Sequence, residues 1–160
     1  MLYRLLLCLS LLPLTAAPVR ACEVALALAV DVSGSIDPGE YRLQAEGIAE
    51  ALRDPDVAFA LIEGRVALSV IQWSGTGQQA VSLPWQQMRN LADVGRFAAA
   101  ARDMPRAFSG SDTAPGNLID FAAAQFSDAP VCDRQVIDIS GDGPQNPGRP
   151  TTEARHPAHP

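Results

Sequence analysis

Oxygen-bearing side chains in three segments of the chain could together bind a hard divalent cation. Asp31, Ser33 and Ser35 stand at alternate positions, so the two serines can face one ion, and Thr113 and Asp142 follow in later segments. Hydroxyls and carboxylates suit Mg²⁺ or Mn²⁺, whereas Zn²⁺ favours His or Cys, which these segments lack. Turn capping would explain Ser33 and Ser35 alone, but it does not explain the other partners. We therefore predict a metal site formed by all five residues.

Two apolar segments would position the ends of this site. The run from Val24 to Val30 is continuously apolar and has the length of a covered central strand in a parallel sheet. A second apolar strand is predicted over 135–140, directly before Asp142. Ligands of open parallel sheets bind at the carboxyl ends of the strands, which is where Asp31 and Asp142 fall.

The remaining pattern predicts an α/β sheet with right-handed crossovers. Asp37, Pro38 and Glu40 are typical of a helix start, and that helix should run to about Arg53. Residues 57–62 suggest a short turn. Further elements are expected in this order: a core strand over 65–73, an edge strand over 79–83 joined to it by a hairpin, a helix over 90–103, and a helix from Pro115 that leads to the strand over 135–140.

The amino terminus predicts export. Arg4, an apolar run and small residues before Cys22 indicate a signal peptide over residues 1–21, hence a secreted or periplasmic protein with no membrane insertion after cleavage. Lipoprotein processing with acylated Cys22 is the alternative. Loss of Arg4 and Arg20 would leave ten arginines against eighteen acidic residues, a net charge of −8 in place of −6, which disfavours nucleic acid as a partner.

The residue inventory argues against several kinds of catalysis. The chain has no lysine, and its two histidines, His156 and His159, lie in a Pro-rich tail. Schiff-base chemistry and Walker-type phosphate binding are therefore excluded, and a Ser-His-Asp hydrolase is not expected because no histidine accompanies Ser33 or Ser35. We assign no catalytic residue and do not expect an enzyme.

The two cysteines outside the signal segment are placed for a disulfide. Cys22 lies nine residues before Asp31, and Cys132 lies ten residues before Asp142. Neighbouring strands are about 4.8 Å apart, within the Cα separation that a disulfide tolerates. We expect a Cys22–Cys132 bond, with two buried free thiols as the alternative.

At the residues of the candidate site the chain resembles the von Willebrand factor A-type domains and their metal-ion-dependent adhesion site. The matching pieces are Asp31-Val-Ser33-Gly-Ser35, Thr113 in its loop, and Asp142 followed by Gly143. Residues 29–36, 72–74 and 132–144 are more narrowly similar to a family of secreted bacterial proteins of unknown function within that superfamily. The resemblance covers residues 23–148.

This resemblance implies a Rossmann-like, doubly wound and mainly parallel sheet with one antiparallel edge strand. It implies that Ser33, Ser35 and Thr113 ligate the cation directly, while Asp31 and Asp142 act mostly through water. The partner would be a protein whose exposed Asp or Glu completes the coordination. The expected function is a secreted cation-dependent protein-binding module, with a metal-assisted hydrolase as the alternative.

The carboxyl-terminal part departs from the family pattern. A complete domain of this type would continue through further strands and helices after the Asp142 strand, and these are missing from the sequence. Residues 22–148 are therefore expected to form an incomplete domain, and residues 149–160, which contain no large apolar side chain, a disordered tail. A nonfunctional truncated remnant is the third interpretation.

Overall fold

The computed structural model describes residues 22–109, 112–141 and 148–158, with side chains placed as far as residue 155. The predicted signal peptide lies outside the described residues. Four strands, five α-helices and one 3-10 helix are described, in the order β1 (Cys22–Asp31), α1 (Pro38–Arg53), α2 (Pro55–Glu63), β2 (Ala67–Trp73), β3 (Gln79–Gln87), α3 (Leu91–Asp103), α4 (Pro115–Gln125), the 3-10 helix (Phe126–Asp128), β4 (Cys132–Ser140) and α5 (Thr151–Ala158). None of these helices has the length and apolar character needed to cross a membrane.

The described strands form one mixed sheet in the order β3-β2-β1-β4. Strand β1 runs parallel to both neighbours, and β3 pairs with β2 in the antiparallel sense. The predicted α/β class, a mainly parallel Rossmann-like sheet with one antiparallel edge strand, is confirmed. The register aligns Asp31 with Trp73 and Val30 with Ser140, so the ends of all three parallel strands meet at one edge of the sheet.

Both faces of strand β1 are covered by helices. Val30 packs in a large apolar cluster with residues of α1, α2 and α3, and the opposite face places Ala27 and Ala29 against Leu118 of α4. Alternate side chains of a strand point to opposite faces, and the small alanines leave room for α4. The strand that ends in Asp31 is thus held by packing on both sides.

An aspartate caps the start of each of the first two helices. Helix α1 has the predicted capping box, since the Asp37 carboxylate accepts hydrogen bonds from the amides of Gly39 and Glu40, and Glu40 accepts one from the Asp37 amide. The short turn expected over 57–62 is instead the nine-residue helix α2, because Asp54 caps it and Pro55 supplies a suitable first residue.

The expectation of a disordered tail is wrong for Thr151–Ala158, which forms α5. Ala154 is buried at 1% exposure, although it is small. Polar contacts hold the segment to α4: the Arg149 guanidinium lies 2.5 Å from the Asp120 carboxylate, and the Arg149 amide donates to Asn117 at 3.0 Å. The absence of large apolar residues misled the prediction because a close helix contact needs only a small side chain and a few polar partners.

Strand β4 lies at the edge of the described sheet and is largely exposed. Val136 and Ile139 are 36% and 38% exposed, and Val131, just before the strand, is 96% exposed. A disulfide joins Cys132 at the start of β4 to Cys22 at the start of β1, with the two Cα atoms 4.4 Å apart. The strand is therefore fixed covalently at one end and by backbone pairing along β1.

Candidate cation site

The loop that follows β1 is organised around a buried carboxylate. Asp31 is fully buried, and its Oδ1 accepts a hydrogen bond from the backbone amide of Ser33 at 2.7 Å. This local bond turns the chain sharply, and the Ile36 amide then donates to the Ser33 carbonyl at 3.0 Å. The turn places both serine side chains beside the end of the strand.

Three hydroxyl groups meet in this loop. The Ser33 and Ser35 oxygens are 3.2 Å apart, and the Thr113 hydroxyl donates to the Ser33 oxygen at 3.3 Å. Thr113 comes from the segment before α4, far away in sequence. Ser33 and Thr113 are buried while Ser35 is exposed, so this cluster of three hydroxyls reaches the surface at Ser35.

The second oxygen of the Asp31 carboxylate is the least satisfied polar atom of the site. Asp31 Oδ2 is buried and has no hydrogen-bond partner within the described ranges. Burial of a carboxylate oxygen without a partner costs free energy, roughly 1–3 kcal/mol or more for a charged group. Carboxylate and hydroxyl oxygens are the donors that Mg²⁺ and Mn²⁺ prefer, so the residues present fit such an ion.

The segment that leads to Asp142 approaches Asp31 closely. A Cβ atom added at Gly141 would lie 3.0 Å from Asp31 Oδ2 and 3.2 Å from the Trp73 ring. A glycine is therefore needed for this approach between the ends of β1 and β4. Asp142 itself, the fifth predicted site residue, lies outside the described residues.

Ser74 connects the Thr113 segment to the end of β2. The buried Ser74 hydroxyl donates to the Asp112 carbonyl at 3.1 Å, and the Ser74 carbonyl accepts from the Ala114 amide at 3.0 Å. The Ser74 amide donates to the Gln78 carbonyl at 2.9 Å, within the turn to β3. The first two bonds tie the segment that contains Thr113 to the end of β2, next to the β1 loop, and the third fixes Ser74 itself.

Arg106 is a contributor that the sequence did not reveal. Its guanidinium Nη2 donates to the carbonyls of Val32 and Ser33, each at 2.9 Å. It thereby holds the backbone of the loop at two successive carbonyls. No motif marks the segment after α3, so only the folded structure brings Arg106 to this loop.

A buried polar pair positions the segment that carries Arg106. The Gln72 amide donates to the Pro105 carbonyl at 2.9 Å and to the Tyr41 hydroxyl at 3.2 Å, and the Gln72 oxygen accepts from the Ala107 amide at 2.8 Å. The Tyr41 hydroxyl donates to the Met104 carbonyl at 2.9 Å.

The buried position of the Tyr41 hydroxyl changes its pKa. Burial raises the pKa of the Tyr41 hydroxyl above its ordinary value of 10.0, and this effect outweighs the lowering by the Gln72 hydrogen bond and the Arg106 charge. The phenol is therefore held in its neutral form, which can donate to the Met104 carbonyl.

Metal sites rich in acidic or imidazole side chains differ from this one. Within the ranges 22–109, 112–141 and 148–158, no group of three or more His, Cys, Asp or Glu side chains is placed to hold a metal ion. The candidate site combines three hydroxyls with the Asp31 carboxylate. The structure thus brings four of the five predicted residues together.

Comparison with known proteins gives a family and a fold. Residues 21–159 match the model of a family described as "Protein of unknown function (DUF1194)". A search of curated proteins finds no match.

The chain is similar to three solved structures to different degrees. Proximal thread matrix protein 1 from the mussel byssus has a TM-score of 0.66 at 19% identity, over 86% of this chain and 35% of its own. The pilus adhesin SpaC from Lactobacillus rhamnosus GG has a TM-score of 0.50 at 16% identity, over 72% of this chain and 15% of its own. A von Willebrand factor type A protein from Catenulispora acidiphila has a TM-score of 0.47 at 18% identity, over 71% and 25%. The chain thus spans well under half the length of each.

Proposed function

The chain belongs to the DUF1194 family of proteins of unknown function, and we propose that it is a protein-binding module whose ligand contact depends on a divalent cation. Ser33, Ser35 and Thr113 would ligate Mg²⁺ or Mn²⁺ directly, and Asp31 and Asp142 would act mostly through water. An Asp or Glu side chain of the partner would complete the coordination shell. The observation that carries this proposal is the buried Asp31 Oδ2, which has no hydrogen-bond partner among the described residues, in the loop where the three hydroxyls meet.

The geometry of the loop supports an ion that is open to a partner. Gly34 and Ser35 are exposed, whereas Asp31, Ser33 and Thr113 are buried. An ion held by these donors would therefore be covered by protein on the inner side and accessible on the Ser35 side. A carboxylate could approach from that side without moving the strands.

Charge gives the cation a further role in binding. The chain carries a formal net charge of −6, so an acidic partner would be repelled by its surface. A bound divalent cation supplies a local positive charge at the one place where the partner must bind. One of the solved structures with a similar fold is a pilus adhesin, which agrees with a role in protein binding.

The proposed site of action is outside the cytoplasm. The Cys22–Cys132 disulfide is expected in an oxidising compartment, and the sequence before Cys22 has the composition of a signal peptide. Mass spectrometry of protein recovered from the periplasm or the medium should find Cys22 at or near the amino terminus. Protein that keeps residues 1–21 and remains in the cytoplasm would contradict this placement.

Metal binding is tested most directly with Mn²⁺ and two serine variants. The wild-type protein should unfold cooperatively and at a higher temperature with Mn²⁺ than with a chelator, because an ion that binds only the folded state stabilises it. Ser33→Ala should lose this shift. Ser69→Ala is the matched control, since Ser69 is also buried but donates to the Leu83 carbonyl. It should lower stability and keep the Mn²⁺ shift.

The position open to a partner is tested with acetate as a stand-in for an Asp or Glu side chain. Bound Mn²⁺ that keeps an exchangeable water should enhance the relaxation of water protons. Acetate should reduce the enhancement in the wild-type protein by replacing that water. Binding of Mn²⁺ with no effect of acetate would support a metal site but contradict a site for a partner carboxylate.

The two alternatives give different results. A metal-assisted hydrolase would show Mn²⁺-dependent hydrolysis of a phosphate ester that Ser33→Ala abolishes; we expect no such activity because the site has no positioned nucleophile or imidazole. A nonfunctional remnant would show no cooperative unfolding with or without Mn²⁺, and that result would contradict both the binding and the hydrolase proposals.

A further inference from the structure

Among the described residues, strand β4 has a strand partner on one side of its backbone only. It is paired only with β1, at the edge of the described sheet. Most of its residues are exposed, including Arg134, Val136 and Asp138. An exposed edge of this length presents a row of amide and carbonyl groups that can pair with another strand.

The sequence of β4 is complementary to itself. In an antiparallel pair of identical strands related by a two-fold axis, residues on the same face of the sheet lie opposite each other. If the axis passes through Val136, then Cys132 lies opposite Ser140 and the full length of the strand is paired. In that register Arg134 of each copy lies opposite Asp138 of the other.

Two registers in which the axis is shifted by two residues are less favourable. An axis through Arg134 would place the two arginines opposite each other, and an axis through Asp138 would do the same for the two aspartates. Like charges directly opposite are destabilising, whereas opposite charges stabilise a cross-strand pair. Arg134 and Asp138 have no ion-pair partner within the described part of one copy, so each can pair across the axis.

We propose that two copies of this chain associate through β4, in antiparallel register about Val136, to form one continuous sheet. The disulfide between Cys22 and Cys132 supports this because it fixes the start of the edge strand before a partner arrives. The net charge of −6 opposes association at long range, but at physiological salt it is screened beyond about 8 Å. The dimer does not depend on the cation site, so a chelator leaves it unchanged.

The charge pairs are tested by exchange. Sedimentation of the purified wild-type protein at physiological salt should show a dimer. Arg134→Asp should weaken it by about tenfold or more, because each cross-strand pair then becomes two like charges. The double variant Arg134→Asp with Asp138→Arg restores opposite charges and should restore the dimer. Arg53→Asp, at the end of α1, is the charge-matched control and should leave it intact.

The register is tested with single cysteines. Val136→Cys places two thiols at the axis, about 4.5–5.5 Å apart between Cα atoms, within reach of a disulfide. Ile139→Cys is the control, because Ile139 has nearly the same exposure but would lie roughly 20 Å from its own copy. Mild oxidation should link the first variant and leave the second unlinked.

Several results would overturn the proposal. These are a wild-type monomer, larger assemblies in place of a dimer, an Arg134→Asp protein that remains dimeric, failure of the double exchange to restore association, or equal cross-linking of the two cysteine variants. Both charge variants change exposed residues, and their thermal unfolding shows whether a lost dimer reflects a lost fold.

Discussion

Strands β1 and β4 lie side by side in parallel, but they differ in what surrounds them. β1 has a strand on each side and an apolar cluster on each face, and its last residues are fully or nearly fully buried. Within the described sheet β4 has a strand on one side only, and most of its residues are exposed. β1 is apolar from Val24 to Val30, whereas β4 carries charged residues such as Arg134 and Asp138, so the two strands differ in composition as well as in their position in the sheet.

The candidate site has a buried part at the end of β1 and a second part that follows the exposed strand β4. Asp31, Ser33 and Thr113 are buried and held by hydrogen bonds to their surroundings. The segment toward Asp142 extends from the exposed strand, where Gly141 brings it against Asp31. The first part is thus built into the packed centre of the molecule, while the second depends on whatever holds β4 to β1.

The largest expected effect comes from removal of the bond that holds β4 to β1. Cys22→Ser combined with Cys132→Ser should lower the free energy of unfolding by about 4 kcal/mol, because the bond closes a loop with a sequence separation of 110. Urea unfolding of the double variant and of the oxidised wild type measures this change.

Hydrogen exchange of the same double variant resolves the two strands. At a protein concentration low enough for monomers, amides of β4 should exchange at a lower opening free energy than those of β1, since β4 pairs with β1 alone in the described sheet. Equal protection of the two strands would mean that they open as one unit and would remove the distinction between them.

The same substitution on each strand should have unequal effects. Val30 on β1 is 1% exposed and Val136 on β4 is 36% exposed. Val30→Ala should cost about 2 kcal/mol through lost burial and a residual cavity, and Val136→Ala less than about 1 kcal/mol. Urea unfolding at low protein concentration compares them without a contribution from dimers; equal losses would contradict the picture of a bare edge.

The fold was predictable where local pattern and tertiary position agree. The apolar run of β1, the Asp37 capping box and the hairpin between β2 and β3 each carry a strong local signal, and each is present. Helix α5 was missed because its packing on α4 rests on the small side chain of Ala154 and on polar ties, for which sequence patterns have no clear signature.

For the candidate site, the sequence names only the residues that could ligate an ion. Asp31, Ser33 and Ser35 are adjacent in sequence, and Thr113 joins them through a motif. Of the residues that hold the loop, Arg106 has no such mark, and Gln72 lies in the similar segment 72–74 without a role that the sequence reveals, because both roles depend on contacts between segments more than thirty residues apart. Sequence therefore predicts which atoms could bind an ion but not which atoms keep them in place.

Arg106 offers a smaller perturbation of the buried part of the site. Its guanidinium holds the carbonyls of Val32 and Ser33, so Arg106→Ala should loosen the loop and weaken Mn²⁺ binding by about tenfold. Arg96→Ala is a suitable control, because Arg96 pairs with Asp93 within α3. Titration of Mn²⁺ followed by water-proton relaxation gives both affinities.

The direction of the Arg106 effect decides between two roles. Removal of a positive charge near a cation site should, by electrostatics alone, strengthen Mn²⁺ binding. Loss of the loop contacts should weaken it. Tighter Mn²⁺ binding by Arg106→Ala would therefore show that the charge of Arg106 matters more than its contacts with the loop. Other contacts would then hold the buried part of the site in place.

The smallest expected effect concerns the Tyr41 hydroxyl beneath the Arg106 segment. Because burial raises the pKa of Tyr41 above 10.0 in the folded state, the neutral phenol is favoured by folding. Its contribution is fully present below pH 10 and is lost as the pH rises through the folded pKa, when the phenol ionises. Tyr41→Phe should cost about 1 kcal/mol near neutral pH through the lost hydrogen bond to the Met104 carbonyl.

The chain is well suited to this titration. It has no lysine, and its other tyrosine is Tyr3, so phenolate absorbance of protein that lacks residues 1–21 reports Tyr41 alone. The wild type should lose stability above pH 10, while Tyr41→Phe should lack that loss, as measured by urea unfolding at several alkaline pH values. If both proteins lost stability in parallel, ionisation of Tyr41 would not be the cause of the alkaline loss.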